Sequence, residues 1–88
     1  MKIKVTKQDI KNGTGNEKEL EYCPIAFAIK RQMKTYFYIK VYGDNIQILT
    51  VDHSYRYYKL PKKAKDFIQK FDEGKEVKPF TFEARKTK

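Results

Sequence analysis

The stretch from residue 36 to residue 60 constrains the fold more than any other part of the sequence. Three runs rich in aromatic and β-branched residues follow one another there, reading YFYIKVY, IQILTV and YRYYKL. Turn-forming residues separate these runs, first Gly43-Asp44-Asn45 and then Asp-His-Ser at 52–54. Short turns between such runs are typical of β-hairpins. The spacing therefore predicts three antiparallel strands joined by two turns.

The segments before this unit predict one strand, a short helical turn and a longer helix. Residues 2–6 alternate lysine with aliphatic residues, as a half-buried strand does. Thr6 and Asp9 have the spacing of a helix N-cap, so KQDIKN reads as one helical turn. Residues 13–22 read as an exposed loop with two glycines. Pro24 suits the first position of a helix, and the apolar run after it predicts a mostly buried helix.

The segment after the three strands predicts a second long helix and a final strand. Pro61 stands near the start of LPKKAKDFIQKFDEG, and Gly74 stands just past its last helical residue. Its apolar residues have the i, i+3, i+4, i+7 spacing of one helix face: Ala64, Phe67, Ile68 and Phe71. EVKPFTFEA then reads as an extended segment, with Phe80, Phe82 and Ala84 on one side. Residues 85–88 read as a basic, flexible tail.

These elements predict one domain over residues 1–88 with an α+β fold. We expect a small antiparallel sheet of about four to five strands, with two amphipathic helices packed on one of its faces. The chain is too short to hold two hydrophobic cores.

The charge balance indicates an anionic partner or a highly solvated surface. Twenty Lys and Arg residues stand against eleven Asp and Glu residues, a formal net charge of +9. Such a charge attracts polyanions such as nucleic acid, a ribonucleoprotein or an acidic protein face. The alternative is a lysine-rich surface that only keeps the protein in solution. Charge alone does not separate the two.

Cysteine and histidine usage argues against several classes of function. The single cysteine, Cys23, excludes an intramolecular disulfide framework, and no apolar run approaches the roughly 18 residues of a membrane span. We therefore expect a protein of the bacterial cytoplasm that contacts no membrane. One Cys and one His cannot form a structural zinc site, and no phosphate-binding glycine loop is present, so we expect no metal or cofactor. Cys23 reads as a small buried residue at the start of a helix, and a nucleophile assisted by His53 stays as an alternative.

The tyrosines of the strand region form the candidate binding surface. Tyr36, Tyr38 and Tyr42 alternate with the apolar residues of their strand and share a face with Lys40. In the third strand, either Tyr55 and Tyr57 or Arg56 and Tyr58 join that face. Aromatic rings interleaved with cations on an open sheet are typical of proteins that bind single-stranded nucleic acid. Cross-strand tyrosine pairs also stabilise a half-exposed sheet without any ligand, and exposed tyrosines also form protein interfaces.

The predicted site residues divide into two groups. The face itself is predicted to use Tyr36, Tyr38, Lys40, Tyr42, Arg56 and Tyr57. A flanking basic cluster is predicted at the end of the first long helix, at Lys30, Arg31 and Lys34.

Two stretches resemble a known group of small proteins. Residues 9–29 contain an I-x-x-G motif followed by C-P-I-A-x-A, and residues 64–83 have the form F-I-x-x-F-D-x-G-x-x-V-x-P-F-x-F. Together they resemble uncharacterised proteins encoded by bacteriophages and actinobacterial genomes. The resemblance implies a phage setting, in which small accessory proteins often bind and inhibit host machinery, including host defence. It carries over no catalytic residues.

Three functions remain from the sequence. The first is a non-enzymatic phage-type accessory or inhibitor protein that binds an anionic host target, namely a defence ribonucleoprotein, an acidic protein or a nucleotide ligand. The second is a stand-alone single-stranded nucleic-acid-binding protein that uses the same residues. The third is an enzyme built on Cys23 and His53. A second copy of the chain is a further candidate partner for the tyrosine face.

Overall fold

Both helices and strands are present in the computed structural model of the chain, which describes residues 1–13 and 21–87. Most of the predicted loop at 13–22, and Lys88 of the predicted tail, lie outside the described residues. The elements within the described ranges are β1 (Lys2–Val5), α1 (Lys7–Asn12), α2 (Pro24–Gln32), β2 (Tyr36–Val41), β3 (Asn45–Thr50), β4 (Tyr55–Lys59), α3 (Lys62–Asp72), β5 (Phe80–Glu83) and β6 (Arg85–Lys86). The predicted α+β class is confirmed.

The strands form two antiparallel sheets. β2, β3, β4 and β6 make a four-stranded sheet in that order, which confirms the predicted three-stranded unit β2-β3-β4. β1 and β5 pair separately, with Ile3 opposite Phe82. The sequence predicted a single sheet, whereas the first and the second-last strands leave it to pair with each other.

The last described residues belong to the sheet. The sequence predicted a flexible tail at 85–88, whereas Arg85 and Lys86 pair with Lys59 and Tyr58 as β6. The backbone amide of Thr87 also donates to the carbonyl of Tyr57 at 2.9 Å. An edge strand leaves unpaired backbone groups, and this short segment satisfies part of the edge of β4.

One hydrophobic core lies between the four-stranded sheet, the helices and the small sheet. Every second residue of β3 is buried, and parts of β2 and β4 follow the same alternation, because successive side chains point to opposite faces. The buried set includes Ile39 and Val41 of β2, Ile46 and Ile48 of β3, and Tyr58 of β4. We call the face that carries these side chains the inner face. Helix α2 contacts β1 and β2 and adds its buried residues Ile25, Ala26, Ala28 and Ile29 to the same core.

Helix α3 ends as its sequence predicts. Gly74 has a φ of 77°, the left-handed conformation that glycine adopts most readily. The Gly74 amide donates to the Phe71 carbonyl at 3.1 Å, and the Lys75 amide donates to the Lys70 carbonyl at 2.9 Å. This pair of bonds is the Schellman motif, which satisfies carbonyls that the helix end would leave free.

Candidate functional site

The face of the four-stranded sheet opposite the core carries the candidate site, and we call it the outer face. Its side chains lie in three rows across the strands because the register places them opposite one another. The first row is Tyr38, Leu49 and Tyr55; the second is Lys40, Gln47 and Tyr57; the third is Tyr42, Asn45, Lys59 and Arg85. Aromatic rings dominate the first row, and cations become more frequent toward the third.

Three tyrosine rings of the outer face contact one another in series. The ring centroids of Tyr38 and Tyr55 lie 6.4 Å apart in an edge-to-face arrangement, at 60°. Those of Tyr55 and Tyr57 lie 6.3 Å apart with nearly parallel planes, at 16°. Tyr55 keeps 52% of its surface exposed. These contacts hold the three rings against one another, and Tyr55 keeps ring surface open to a ligand.

The outer face is positively charged. The Nζ atom of Lys40 lies 4.6 Å from the centroid of the Tyr38 ring. Lys59 and Arg85 are exposed neighbours at the other end of the sheet. None of the ten side chains in the three rows is acidic. The charged side chains of the three rows are therefore all cations, and the Asp44 carboxylate in the adjoining turn accepts a hydrogen bond from the Asn45 side chain at 3.0 Å.

The hydroxyl of Tyr38 on the outer face stays protonated at neutral pH. The hydroxyl of Tyr55, with the nearby Tyr42 and Tyr57, raises the pKa of Tyr38 to about 12. The Tyr42 hydroxyl donates to the side-chain oxygen of Gln47 at 3.1 Å. A ligand therefore meets a neutral Tyr38 ring with a polar edge, which adds no negative charge beside Lys40.

Tyr36, which the sequence placed on this face, lies on the opposite side. The register of β2 against β3 shifts by one residue between Tyr36 and Tyr38, and Tyr36 pairs with the buried Thr50 and packs against the core. Phe37, which the sequence placed on the inner side, is 55% exposed, and its ring lies 5.4 Å from that of His53. Both predictions are wrong for the same reason, because a β-bulge interrupts the alternation of side chains.

Arg56 also does not belong to the outer face. It is an exposed residue that pairs with Ile48, whose side chain lies on the inner face. Tyr55 lies beside Tyr57 on this face instead, although the predicted site residues included only Tyr57 of this pair. The buried Leu60 could have shown which residues of β4 point outward. Residues that alternate with Leu60 and Tyr58 must point outward, and this phase selects Tyr55, Tyr57 and Lys59.

Two residues of the predicted basic cluster, Lys30 and Arg31, lie on the core side of the sheet, whereas the third, Lys34, precedes β2. The Lys30 amine donates to the Glu21 carbonyl and lies 4.8 Å from the centroid of the Tyr22 ring. Lys34 is exposed in the segment before β2. Lys30 and Arg31 belong to α2, which packs on the core side of the sheet. The sheet therefore separates them from the outer-face tyrosines.

Arg31 has a structural contact of its own. Its Nη2 atom lies 3.0 Å from a carboxylate oxygen of Asp9 and 2.7 Å from the Lys4 carbonyl oxygen. Asp9 is buried, which by itself would raise its pKa. The hydrogen bonds from Arg31 and Thr6 outweigh burial and lower the pKa of Asp9. Arg31 thus links α2 to α1 and β1.

Cys23 caps helix α2. Its Sγ atom accepts a hydrogen bond from the Ala26 amide at 3.4 Å, and burial raises the pKa of the thiol to about 11. The thiolate is the reactive form of cysteine, and a pKa this high leaves little of it at neutral pH. These contacts favour the structural interpretation of Cys23. The enzymatic alternative stays untested.

A cleft continues from the third row of the outer face toward the start of α3. We call it the cationic cleft, because four of its lining side chains are Lys or Arg. Its volume is about 400 Å³, and it is lined by Lys59, Leu60, Pro61, Lys62, Lys65, Glu83 and Arg85. Lys59 and Arg85 belong to both the outer face and the cleft, so the two form one continuous basic surface.

Comparison with protein-family models, with curated proteins and with solved structures finds no match for this chain. The resemblance to small phage and actinobacterial proteins therefore stays a prediction. Within residues 1–13 and 21–87, no helix is both long enough and apolar enough to cross a membrane. Across the same residues, His, Cys, Asp and Glu side chains form no group of three or more that could hold a metal ion.

Proposed function

We propose that this protein is a non-enzymatic binding protein that takes an anionic partner on its outer face. The observation that carries the proposal is the composition of that face, where four tyrosines and three cations occur without a carboxylate. The role of accessory or inhibitor protein against a host target belongs to the same proposal and rests on the resemblance alone. A bacterial cytoplasmic location is also part of the proposal, and it rests on the cysteine usage of the sequence.

The ion pairs of the described residues support this use of the cations. They join Arg31 to Asp9, Lys75 to Glu73, and the amino terminus to Glu83. Lys40, Lys59 and Arg85 take part in none of these pairs. Cations that are not neutralised within the fold attract an external anion more strongly.

The exposure of aromatic side chains supports binding rather than a purely structural role. The exposed large hydrophobic residues of the described ranges are Tyr22, Phe37, Val51 and Tyr55. Three of the four lie at the end of the sheet that carries the first row. Apolar groups concentrated at one place on a small protein are typical of an interaction surface.

Polyanion binding by charge-matched variants tests the proposal. One variant carries K40Q, K59Q and R85Q on the outer face, and the control carries K7Q, K11Q and K70Q at exposed positions elsewhere. Both lose three positive charges. The probes are heparin, poly-glutamate and a single-stranded dT oligonucleotide, each titrated by fluorescence anisotropy at low and moderate salt.

We expect at least one of these polyanions to bind, and the outer-face variant to weaken that binding more than the control does. For the oligonucleotide, the slope of log K against log salt should fall by about 2, at roughly 0.7 for each lost phosphate contact. Equal weakening by both variants, or no binding of any probe at low salt, would overturn the proposal.

A further inference from the structure

Aromatic rings are concentrated at one end of the outer face and cations at the other, and the two kinds of group meet in the second row. The first row offers the rings of Tyr38 and Tyr55, with the ring of Tyr57 next to them. The cations lie in the second and third rows and continue into the cationic cleft. From Tyr55 to Lys59 along β4 the distance is about 14 Å, at 3.4 Å per residue. A ligand of modest length can therefore reach both ends at once.

We infer that the anionic partner is a single nucleic-acid strand, whose bases stack on Tyr38, Tyr55 and Tyr57 while its phosphates contact Lys40, Lys59 and Arg85. The inference rests on the proposed function and names its partner. The strand continues past Lys59 into the cationic cleft, where Lys62 and Lys65 provide two further phosphate contacts. Stacking on tyrosine needs only a ring face, which every base has, so the surface does not select a sequence.

The arrangement favours a single strand over a duplex. In a duplex the bases stack on one another and present only their edges in the grooves. The rings of Tyr38 and Tyr55 lie on an open sheet face and contact each other, so they do not project as a wedge between base pairs. Unpaired bases can lie on such rings, as they do in other sheet-based binders of single strands.

The arrangement also disfavours a second copy of the chain as the occupant. A two-fold dimer formed through the outer face would place this positively charged face against itself. Lys40, Lys59 and Arg85 of each copy would then be buried together with no acidic residue of the face to pair with. Burying like charges without partners is unfavourable, so charge complementarity favours a polyanion.

The experiment compares strands with and without bases. A dT oligonucleotide of about 15 nucleotides, within the range of site sizes for single-strand binders, is titrated beside an abasic strand and a duplex of equal length. A rU strand in the same series separates RNA from DNA. The variant is Y38L/Y55L, which keeps apolar bulk but removes two rings, and the control is Y22L, an exposed tyrosine outside the outer face.

We expect the unmodified protein to bind dT more tightly than the abasic strand, by roughly 5- to 150-fold for each stacked base. Y38L/Y55L should lower dT affinity to near that of the abasic strand and leave the salt slope unchanged, whereas Y22L should change neither. The conservative variant Y38F/Y55F, which keeps both rings, should retain dT affinity. Retained dT affinity in Y38F/Y55F would also show that Y38L/Y55L loses affinity because the two aromatic rings are removed.

The two levels of the proposal fail in different ways. If poly-glutamate and the abasic strand bind through Lys40, Lys59 and Arg85 as tightly as dT does, a nucleic-acid partner is overturned and an anionic protein partner stands. If the duplex binds more tightly than the single strand, the inference is likewise overturned. If the outer-face cation variant behaves like its charge-matched control, the proposed function itself falls.

Discussion

The contact between Asp9 and Arg31 yields a quantitative prediction about stability. The carboxylate of Asp9 is 7% exposed, and the guanidinium of Arg31 is 47% exposed, with 3.0 Å between their atoms. Hydrogen bonds to charged groups contribute about 1.5–3 kcal/mol, whereas fully exposed ion pairs contribute about 0.2–1 kcal/mol. Because one partner is buried and the other is half exposed, we expect a coupling free energy of about 1 kcal/mol.

A double-mutant cycle of Asp9→Ala and Arg31→Ala measures this coupling by urea denaturation at neutral pH. The control cycle is Glu73→Ala with Lys75→Ala, because those atoms also lie 3.0 Å apart but both side chains are exposed. We expect no measurable coupling in the control. If the two cycles differ in this way, the burial of Asp9, and not the distance between the charged atoms, explains the larger coupling free energy.

The coupling should also depend on pH. The pKa of Asp9 in the folded protein lies below its ordinary value of 3.8, because Arg31 and Thr6 stabilise the carboxylate. Its contribution is therefore present above the pKa of the unfolded chain and is lost as the pH falls through the lower, folded-state pKa. A coupling that persists in acid below that value, or one no larger than that of Glu73 with Lys75, would refute the reasoning.

Three further changes test other parts of the structure. Gly74→Ala should destabilise the protein by about 1 kcal/mol in urea because of the positive φ, whereas Gly43→Ala, where an added Cβ meets open space, should have no effect. Tyr36→Ala should cost about 1–2 kcal/mol through lost core packing and Tyr38→Ala about 0.5–1 kcal/mol through its lost contact with Tyr55, and the reverse order would contradict the register shift. Iodoacetamide should label Cys23 much more slowly in the folded protein than in urea at neutral pH, since burial raises its pKa to about 11; equal rates would contradict that burial.

The main elements could be predicted because local signals and burial agree there. The Thr6 and Asp9 pattern predicted the first helical turn, and the structure shows both bonds of the capping box. Ile39 and Val41 lie on the core side of the sheet, as their alternation with polar residues predicted. At these positions the local sequence preference and the burial of side chains in the core favour the same structure.

The site could be predicted only in part, because neighbouring aromatic residues do not show which side chains of a strand face the core. Tyr36 and Phe37 are both large aromatics, so hydrophobicity does not show that the alternation breaks between Tyr36 and Tyr38. Arg85 joins the site through the pairing of β6 with β4, a long-range contact that no local pattern encodes. The position of Tyr55 on the outer face could have been predicted, because side chains of β4 alternate and Leu60 at its end is buried.

Nuclear magnetic resonance of the labelled protein with the dT oligonucleotide tests the central claim most directly. If the outer face binds the strand, the largest shift changes should fall on the backbone amides of β2, β3, β4 and β6 and on the ring signals of Tyr38, Tyr55 and Tyr57. The signals of Lys62 and Lys65 in the cationic cleft should also shift. If the largest changes fall on α1 and α2, with the tyrosine rings unaffected, the strand binds elsewhere and the outer face is not the site.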